Sequence, residues 1–160
     1  MISFNIIAVG KLKEKYWRDA AAEYLKRLQP YARITITELP DEQVPAQASS
    51  AEIAAIKEKE AQKIISAIND NHYVIALDPA GERISSEGLA AAFDSLAVRG
   101  HSRITFIIGG AAGLAPSVIE RADRKLSFSD LTFTHQMIRI ILLEQIYRAF
   151  KISRGEKYHL

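Results

Sequence analysis

The chain has no cysteine among its 160 residues. Disulfides, thiolate metal sites, iron–sulfur clusters and cysteine nucleophiles are all excluded with it. The absence fits a reducing compartment, although secreted proteins also can lack cysteine. Glycine (8) and proline (5) are sparse, which excludes collagen-like and low-complexity classes. No long hydrophobic run is present. The longest stretch without a charge is Ile104–Ile119, broken by Gly109, Gly110, Gly113 and Pro116, and it falls short of the roughly 18 residues of a membrane span. The apolar start Ile2–Gly10 contains Asn5 and meets Lys11 on the wrong side for an export signal. The expectation is a soluble, cytoplasmic protein with no membrane partner.

What is present is ordinary for a globular domain: 48% hydrophobic and 25% charged residues in 17.8 kDa. This length suits one domain, residues 1–160, able to bury a core without staples. The net charge is only +2, but it is uneven. Residues 121–160 hold eight Lys/Arg against four Asp/Glu, so that quarter carries +4 and the other 120 residues −2. A basic end suggests a polyanionic partner or, more blandly, a solvated helix face.

Apolar runs at Phe4–Val9, Tyr73–Asp78 and Arg103–Ile108 read as buried strands. Ile34 and Ile36 alternate with Thr35 and Thr37 as a further strand, and Leu126–Phe128 offers a short fifth. Trp17, Ala21, Tyr24 and Leu28 recur at helical spacing before Pro30. Ser50 is expected to cap a helix over Ala51–Ile68, and Ser85 or Ser86 starts another carrying Leu89, Phe93 and Leu96. Pro116 suits the first turn of a short helix over Ala115–Ala122. Thr134 is placed to cap a last long helix that Gly155 stops. Strand and helix alternate, which implies an α/β domain with a mostly parallel sheet covered on both faces. The last helix is apolar on most sides, so it is either central in its own domain or shared with a partner.

Ligands of open α/β sheets gather at the carboxyl ends of strands. Three such ends are unusual here: Leu77-Asp78-Pro79 with Gly81, Gly109–Gly113, and Ser127–Thr134. The glycine cluster suits close approach of a ligand to the backbone, or simply a tight turn. It is neither a P-loop nor a dinucleotide fingerprint, since the following Lys-Ser/Thr and the G-x-G-x-x-G order are both missing. The serine-rich loop can donate hydrogen bonds or merely cap a helix. His72, His101, His135 and His159 lack metal-ligand spacing, so no metal is expected. No G-x-S-x-G supports a hydrolytic triad. The tail Arg154–Leu160 is peculiar in carrying a guanidinium, a phenol and an imidazole. Tyr158 can stack on a base, Arg154 can hold a phosphate and His159 can exchange a proton.

Taken in order, Leu77-Asp78, Gly81, Ser85-Ser86-Glu87, Phe106–Ala111, Gly113-Leu114, Leu126–Ser129, Leu131-Thr132, His135-Gln136, Arg139, Glu144-Gln145, Tyr147–Ala149 and Tyr158-His159 give the chain a full-length resemblance to the RlmH family. These are SPOUT-class methyltransferases acting on a pseudouridine of 23S rRNA in the large ribosomal subunit. The resemblance implies a SPOUT-type α/β fold with a C-terminal trefoil knot, S-adenosylmethionine as cofactor, and methylation of the pseudouridine N3. It places Leu77, Gly109 and the loop of Phe128, Ser129, Asp130, Leu131, Thr132 and Phe133 around the cofactor. It also implies a homodimer, with the last helix at the interface and the tail at the active site, where His159, Tyr158 and Arg154 are the catalytic candidates. His135 is expected to be structural, and Arg139 and Arg148 to be second-tier RNA contacts or dimer salt bridges. The sequence departs from the family pattern at Thr134, where proline is usual, and at Leu160, where a basic residue is common. The competing readings are a SPOUT enzyme for another RNA such as tRNA, a non-enzymatic RNA-binding module, and a nucleotide-binding or hydrolytic domain.

Overall fold

The computed structural model describes residues 1–159. Leu160 lies outside the described residues. Five strands, β1 (Ile2–Val9), β2 (Ala32–Leu39), β3 (Tyr73–Arg83), β4 (Arg103–Ile108) and β5 (Arg124–Ser127), form one sheet in the order β2-β1-β4-β3-β5. Every neighbouring pair is parallel. The helices are α1 (Lys15–Leu28), α2 (Ser50–Ala67), α3 (Ser86–Val98), α4 (Pro116–Arg121) and α5 (His135–Ser153).

Parallel strands are covered on both faces, so their residues alternate between two cores rather than between core and water. Phe4, Ile6 and Ala8 of β1 join a cluster with α1, α3 and α5. Ile7 and Val9 join the opposite cluster with α2 and α4. In β4, Phe106 and Ile107 divide in the same way. On the larger face α5 lies between α1 and α3 with Leu142, Leu143 and Ile146 fully buried. That makes it a central helix of its own chain, while its Ile141 is only half-buried and its Met137 is exposed.

Three boundaries differ from the sequence expectation. Ser49, not Ser50, caps α2: its hydroxyl accepts from the Glu52 N–H, and the Glu52 carboxylate accepts from the Ser49 N–H. That reciprocal pair fixes the helix start one residue early. β3 does not stop at Asp78. It resumes pairing with β5 at Glu82 after a register shift that begins beyond Leu77, so Pro79 falls inside the irregularity, where no ladder donor is required. Gly81 passes over the backbone of β5; a Cβ there would sit 2.8 Å from the Leu126 nitrogen. β5 itself spans Arg124–Ser127, earlier than the expected Leu126–Phe128. Thr134 does cap α5, its hydroxyl accepting from the Met137 N–H at 3.3 Å, so the residue standing in place of proline performs the helix start.

Candidate active site

The carboxyl ends of β3, β4 and β5 and the first turn of α5 enclose a cavity of about 430 Å³. That size is within the range of small-molecule sites, roughly 300–1,000 Å³. The first wall is Leu77 with Asp78 and Pro79, the second the turn after β4 from Gly109 to Leu114, and the third the loop after β5. Of the expected cofactor residues, Leu77, Gly109, Phe128, Ser129, Leu131, Thr132 and Phe133 line it. Asp130 does not: its carboxylate is paired with Arg83 on the surface. The lining holds no lysine or arginine, and Asp78 is its one carboxylate.

The turn after β4 is built by its glycines. Gly113 has φ +86° and bridges back to Gly110, donating to its carbonyl at 3.1 Å. A Cβ on Gly109 would sit 2.9 Å from the Leu114 side chain, and one on Gly110 would sit 3.1 Å from Val9 and 3.2 Å from a Glu60 oxygen. Glu60 is buried beneath this turn, where one oxygen accepts from the Glu42 N–H at 2.9 Å. Burial pushes its carboxyl above the usual range. Across the cavity, the Ser129 hydroxyl accepts from the Leu131 N–H at 2.9 Å and the Ser127 hydroxyl donates to the Ser129 carbonyl at 2.9 Å. The first of these bonds uses the Ser129 hydroxyl as an acceptor and the second uses the Ser127 O–H; together they shape the loop and leave Leu131 exposed at the rim.

His135 forms part of the wall, packed edge-on against Gly10 (φ +101°), where a Cβ would sit 2.7 Å from the ring. Burial lowers its pKa, and the neighbouring Arg139 cation lowers it further. A group depressed in this way contributes stability above its unfolded pKa, about 6.5, that is lost as pH falls through the folded value. Urea midpoints are expected to drop from pH 7.5 to pH 5, with His135→Gln flattening the change. Glu60, shifted upward, acts in the opposite sense, so the comparison of variant with parent isolates the histidine.

Residues 154–159 fold back over α5, and none of them lines the cavity. The Tyr158 hydroxyl donates to Glu144 Oε1 at 3.1 Å, beside two bonds from Arg148 to the same oxygen at 3.0 and 2.6 Å. Gln145 donates to Glu144 Oε2 at 2.7 Å and accepts from the Ser86 hydroxyl at 2.6 Å. His159 completes the network, with Nδ1 3.0 Å from Arg148 Nη1 and Nε2 2.5 Å from Glu87 Oε1. A guanidinium only donates and a carboxylate only accepts, so this arrangement assigns the ring proton to Nε2. Burial, then the Glu144 charge, raises the Tyr158 pKa to about 12. Tyr158 is therefore a phenol, not a phenolate, at neutral pH.

Arg154 stands apart from this network, exposed at the end of α5 with its guanidinium 4.6 Å from the Tyr31 ring. Arg139, expected to be available to RNA or a partner, is only 1% exposed. It donates to Glu38 at 2.5 Å and to the Gly10 carbonyl at 2.9 Å. Glu144 and Glu87 escaped the sequence reading as site residues. Both stand among the residues that carry the family resemblance, and the i,i+4 spacing of Glu144 and Arg148 is a further signal of their pairing. Among the described residues no group of three or more acids and histidines is placed to hold a metal. No helix of the described residues is long and apolar enough to cross a membrane.

A parallel sheet with its cavity at the carboxyl edge defines an open α/β protein of the kind whose ligands gather at these loops. A family profile described as "Predicted SPOUT methyltransferase" matches residues 2–159. A Clostridium acetobutylicum protein named Ribosomal RNA large subunit methyltransferase H is 54% identical over 158 residues, 99% of each chain. A Halothermothrix orenii protein of the same name is 52% identical over the same share. Among solved structures, a tRNA (m1G37) methyltransferase from Aquifex aeolicus has a TM-score of 0.54 at 13% identity, covering 92% of this chain and 69% of that one. A probable methylase family protein from Haemophilus influenzae gives 0.53 at 13%, covering 99% and 70%. Those two likenesses concern the fold. The chain belongs to the SPOUT methyltransferase family.

Proposed function

We propose that this protein methylates N3 of a pseudouridine in 23S rRNA of the large ribosomal subunit, using S-adenosylmethionine and working as a cytoplasmic homodimer. The observation that carries the reading is 54% identity across 99% of both chains to a protein named for large-subunit ribosomal RNA. The same reading treats residues 1–160 as one domain whose C-terminal part forms a trefoil knot.

The cavity fits the cofactor. Its apolar walls, Leu77, Leu126 and Ile138, suit a purine ring, and the half-buried glycine turn around Gly109 that lines it suits polar edges. A lysine or arginine there would repel a sulfonium, and none lines it. Leu77, Gly109 and the loop Phe128–Phe133 hold the nucleoside in this reading, with Asp130 acting through its pairing to Arg83 rather than by contact. When bound, S-adenosylmethionine supplies an electrophilic methyl group.

The chain's own task is to present an imide nitrogen without its proton. Tyr158, held as a phenol, orients the base by turning its hydroxyl from Glu144 to donate to it. His159 is the proton acceptor, through Nδ1 once the base displaces Arg148 from it. Arg148 then stands beside the anion that develops on the ring. Arg154, exposed, holds an adjacent phosphate. In one chain none of residues 154–159 lines the cavity, so the reading calls for a second copy: the terminus of one subunit completes the pocket of its neighbour.

Calorimetry with S-adenosylmethionine should give one site per chain, and mass mapping of large-subunit rRNA from a strain lacking this protein should show one pseudouridine without its methyl group. A methyl group missing from tRNA instead transfers the activity to the alternative SPOUT reading. Absence of cofactor binding leaves an RNA-binding module.

A further inference from the structure

We propose that the exposed segment Lys11–Arg18, around the start of α1, is an RNA-docking face beside the cavity. In it Lys11, Lys13 and Lys15 meet the phosphates of an unpaired stretch of substrate RNA, and one base stacks on Tyr16. The inference rests on the reading above that the substrate is RNA.

The start of α1 breaks the rules that the other long helices keep. α2, α3 and α5 begin at Ser49, Ser85 and Thr134, each accepting a backbone N–H. α1 begins at Glu14 with no side-chain cap, no acid in its first turn and Lys15 as its first residue. A cation at the positive end of the helix dipole is unfavourable, and a missing cap removes a further contribution. Local rules broken without a packing gain mark a position kept for another purpose.

The segment is nevertheless held in shape. Arg18 donates to the carbonyls of Leu12 and Lys13 at 3.2 and 2.5 Å, tying the turn down. The Lys13 N–H donates to the Gln136 side chain at 3.0 Å. Gln136 follows His135, which lines the cavity and packs on Gly10. The basic turn is thus fixed to the cavity's rim.

The chemistry suits a polyanion with unstacked bases. Lys11 and Lys13 are exposed and, among the described residues, have no acid within 4.0 Å. Lys15 pairs only with Asp19 at 2.7 Å, both widely exposed, and such a pair yields readily to phosphate. Glu14 is the one acid of the segment itself, and Asp19 follows it. Tyr16 is 64% exposed and is the one aromatic among the exposed large hydrophobic side chains of the described residues. Its ring leans on Trp17 with centroids 5.2 Å apart, so it is backed on one side and open on the other. Cations interleaved with an open aromatic face are how proteins grip single-stranded RNA.

The test measures binding of the full chain to a large-subunit rRNA fragment, to tRNA and to phosphatidylglycerol vesicles across a KCl series, with cofactor calorimetry on every variant. Lys11→Gln with Lys13→Gln should weaken RNA binding and reduce the slope of log K against log salt by about 1.4, since each single-strand phosphate contact contributes about 0.7. Tyr16→Ala should weaken it roughly 10-fold through lost stacking, and Tyr16→Phe should restore it. Cofactor affinity should stay within about twofold throughout, showing an intact fold. Variants that bind the wild-type substrate RNA with unchanged affinity and slope overturn the docking face while leaving the methylation reading intact. Weakened binding to tRNA, in a protein that methylates only tRNA, upholds the face and removes the rRNA reading. Vesicle binding as tight as RNA binding, lost in the same variants, or no RNA binding by the parent protein, overturns the face.

Discussion

Deleting residues 154–160 is expected to reduce methyl transfer by about three orders of magnitude or more while leaving cofactor affinity within about twofold, since general acid–base groups typically contribute 10²–10⁴-fold. The two effects separate because the cavity and the tail are built from different parts of the chain. The lining reaches no further along the sequence than Ile138. The side-chain polar contacts of residues 154–159 are to Glu144, Arg148 and Glu87, and through Glu156 to Tyr31 and Lys151. Single-turnover methylation at saturating cofactor, with calorimetry on the same preparation, reads both. Tyr158→Phe keeps the ring packed against Tyr147, at a centroid distance of 4.9 Å, and removes only the hydroxyl. It should fall between the parent and the truncation. His159→Ala should approach the truncated enzyme and change the pH profile, which a packing role would not do. Full activity from the truncated chain would remove the tail from the mechanism.

The parts of this fold that were legible in the sequence are those where one local force acts alone. Phe4–Val9 and Arg103–Ile108 are buried on both faces, so their apolar runs identify them as strands without further context. Thr134 and Ser85 cap where a hydroxyl precedes a helical pattern. β3 was truncated in the sequence reading because Pro79 and Gly81 normally break strands. Here the register shift takes up the proline, and the glycine allows close passage over Leu126. Both needs arise from β5, which comes more than forty residues later.

The site was legible as three loops but not as an arrangement of charges. The basic surplus of residues 121–160 points to a polyanion in sequence, yet much of it is neutralised inside the chain. Arg124 pairs with Glu82, Arg139 with Glu38, Arg148 with Glu144 and Lys151 with Glu156. Two of those acids lie far upstream, so counting within the segment could not find them. The segment Lys11–Arg18 carries four cations against one acid, and its Lys11 and Lys13 have no acid partner among the described residues beside the cavity's edge. Pairing, rather than composition, decides which cations face a ligand.

Arg139→Met is expected to destabilise the protein by about 3 kcal/mol, the lower end of what breaking a buried charge pair typically costs. Arg139 fastens α5 to the carboxyl ends of two strands, through the Gly10 carbonyl at the end of β1 and through Glu38 near the end of β2. Methionine keeps much of the stem's volume, so cavity formation is small and the loss is chiefly of hydrogen bonds. The Gly10 carbonyl then lacks this partner. Glu38, whose side chain is 37% exposed, can turn to water instead, which keeps the effect from the upper end of the range. Arg139→Ala adds the missing stem and should cost more. Arg139→Lys should not rescue fully, because a single ammonium cannot reproduce the guanidinium's fork between carboxylate and carbonyl. Removing this cation also removes one cause of the depressed His135 pKa. The fall in stability from pH 7.5 to pH 5 should therefore be shallower in Arg139→Met than in the parent, although the variant is less stable at both. Urea unfolding at the two pH values measures both quantities together. A midpoint unchanged at pH 7.5 would mean that α5 is held in place by its apolar contacts with α1 and α3 alone.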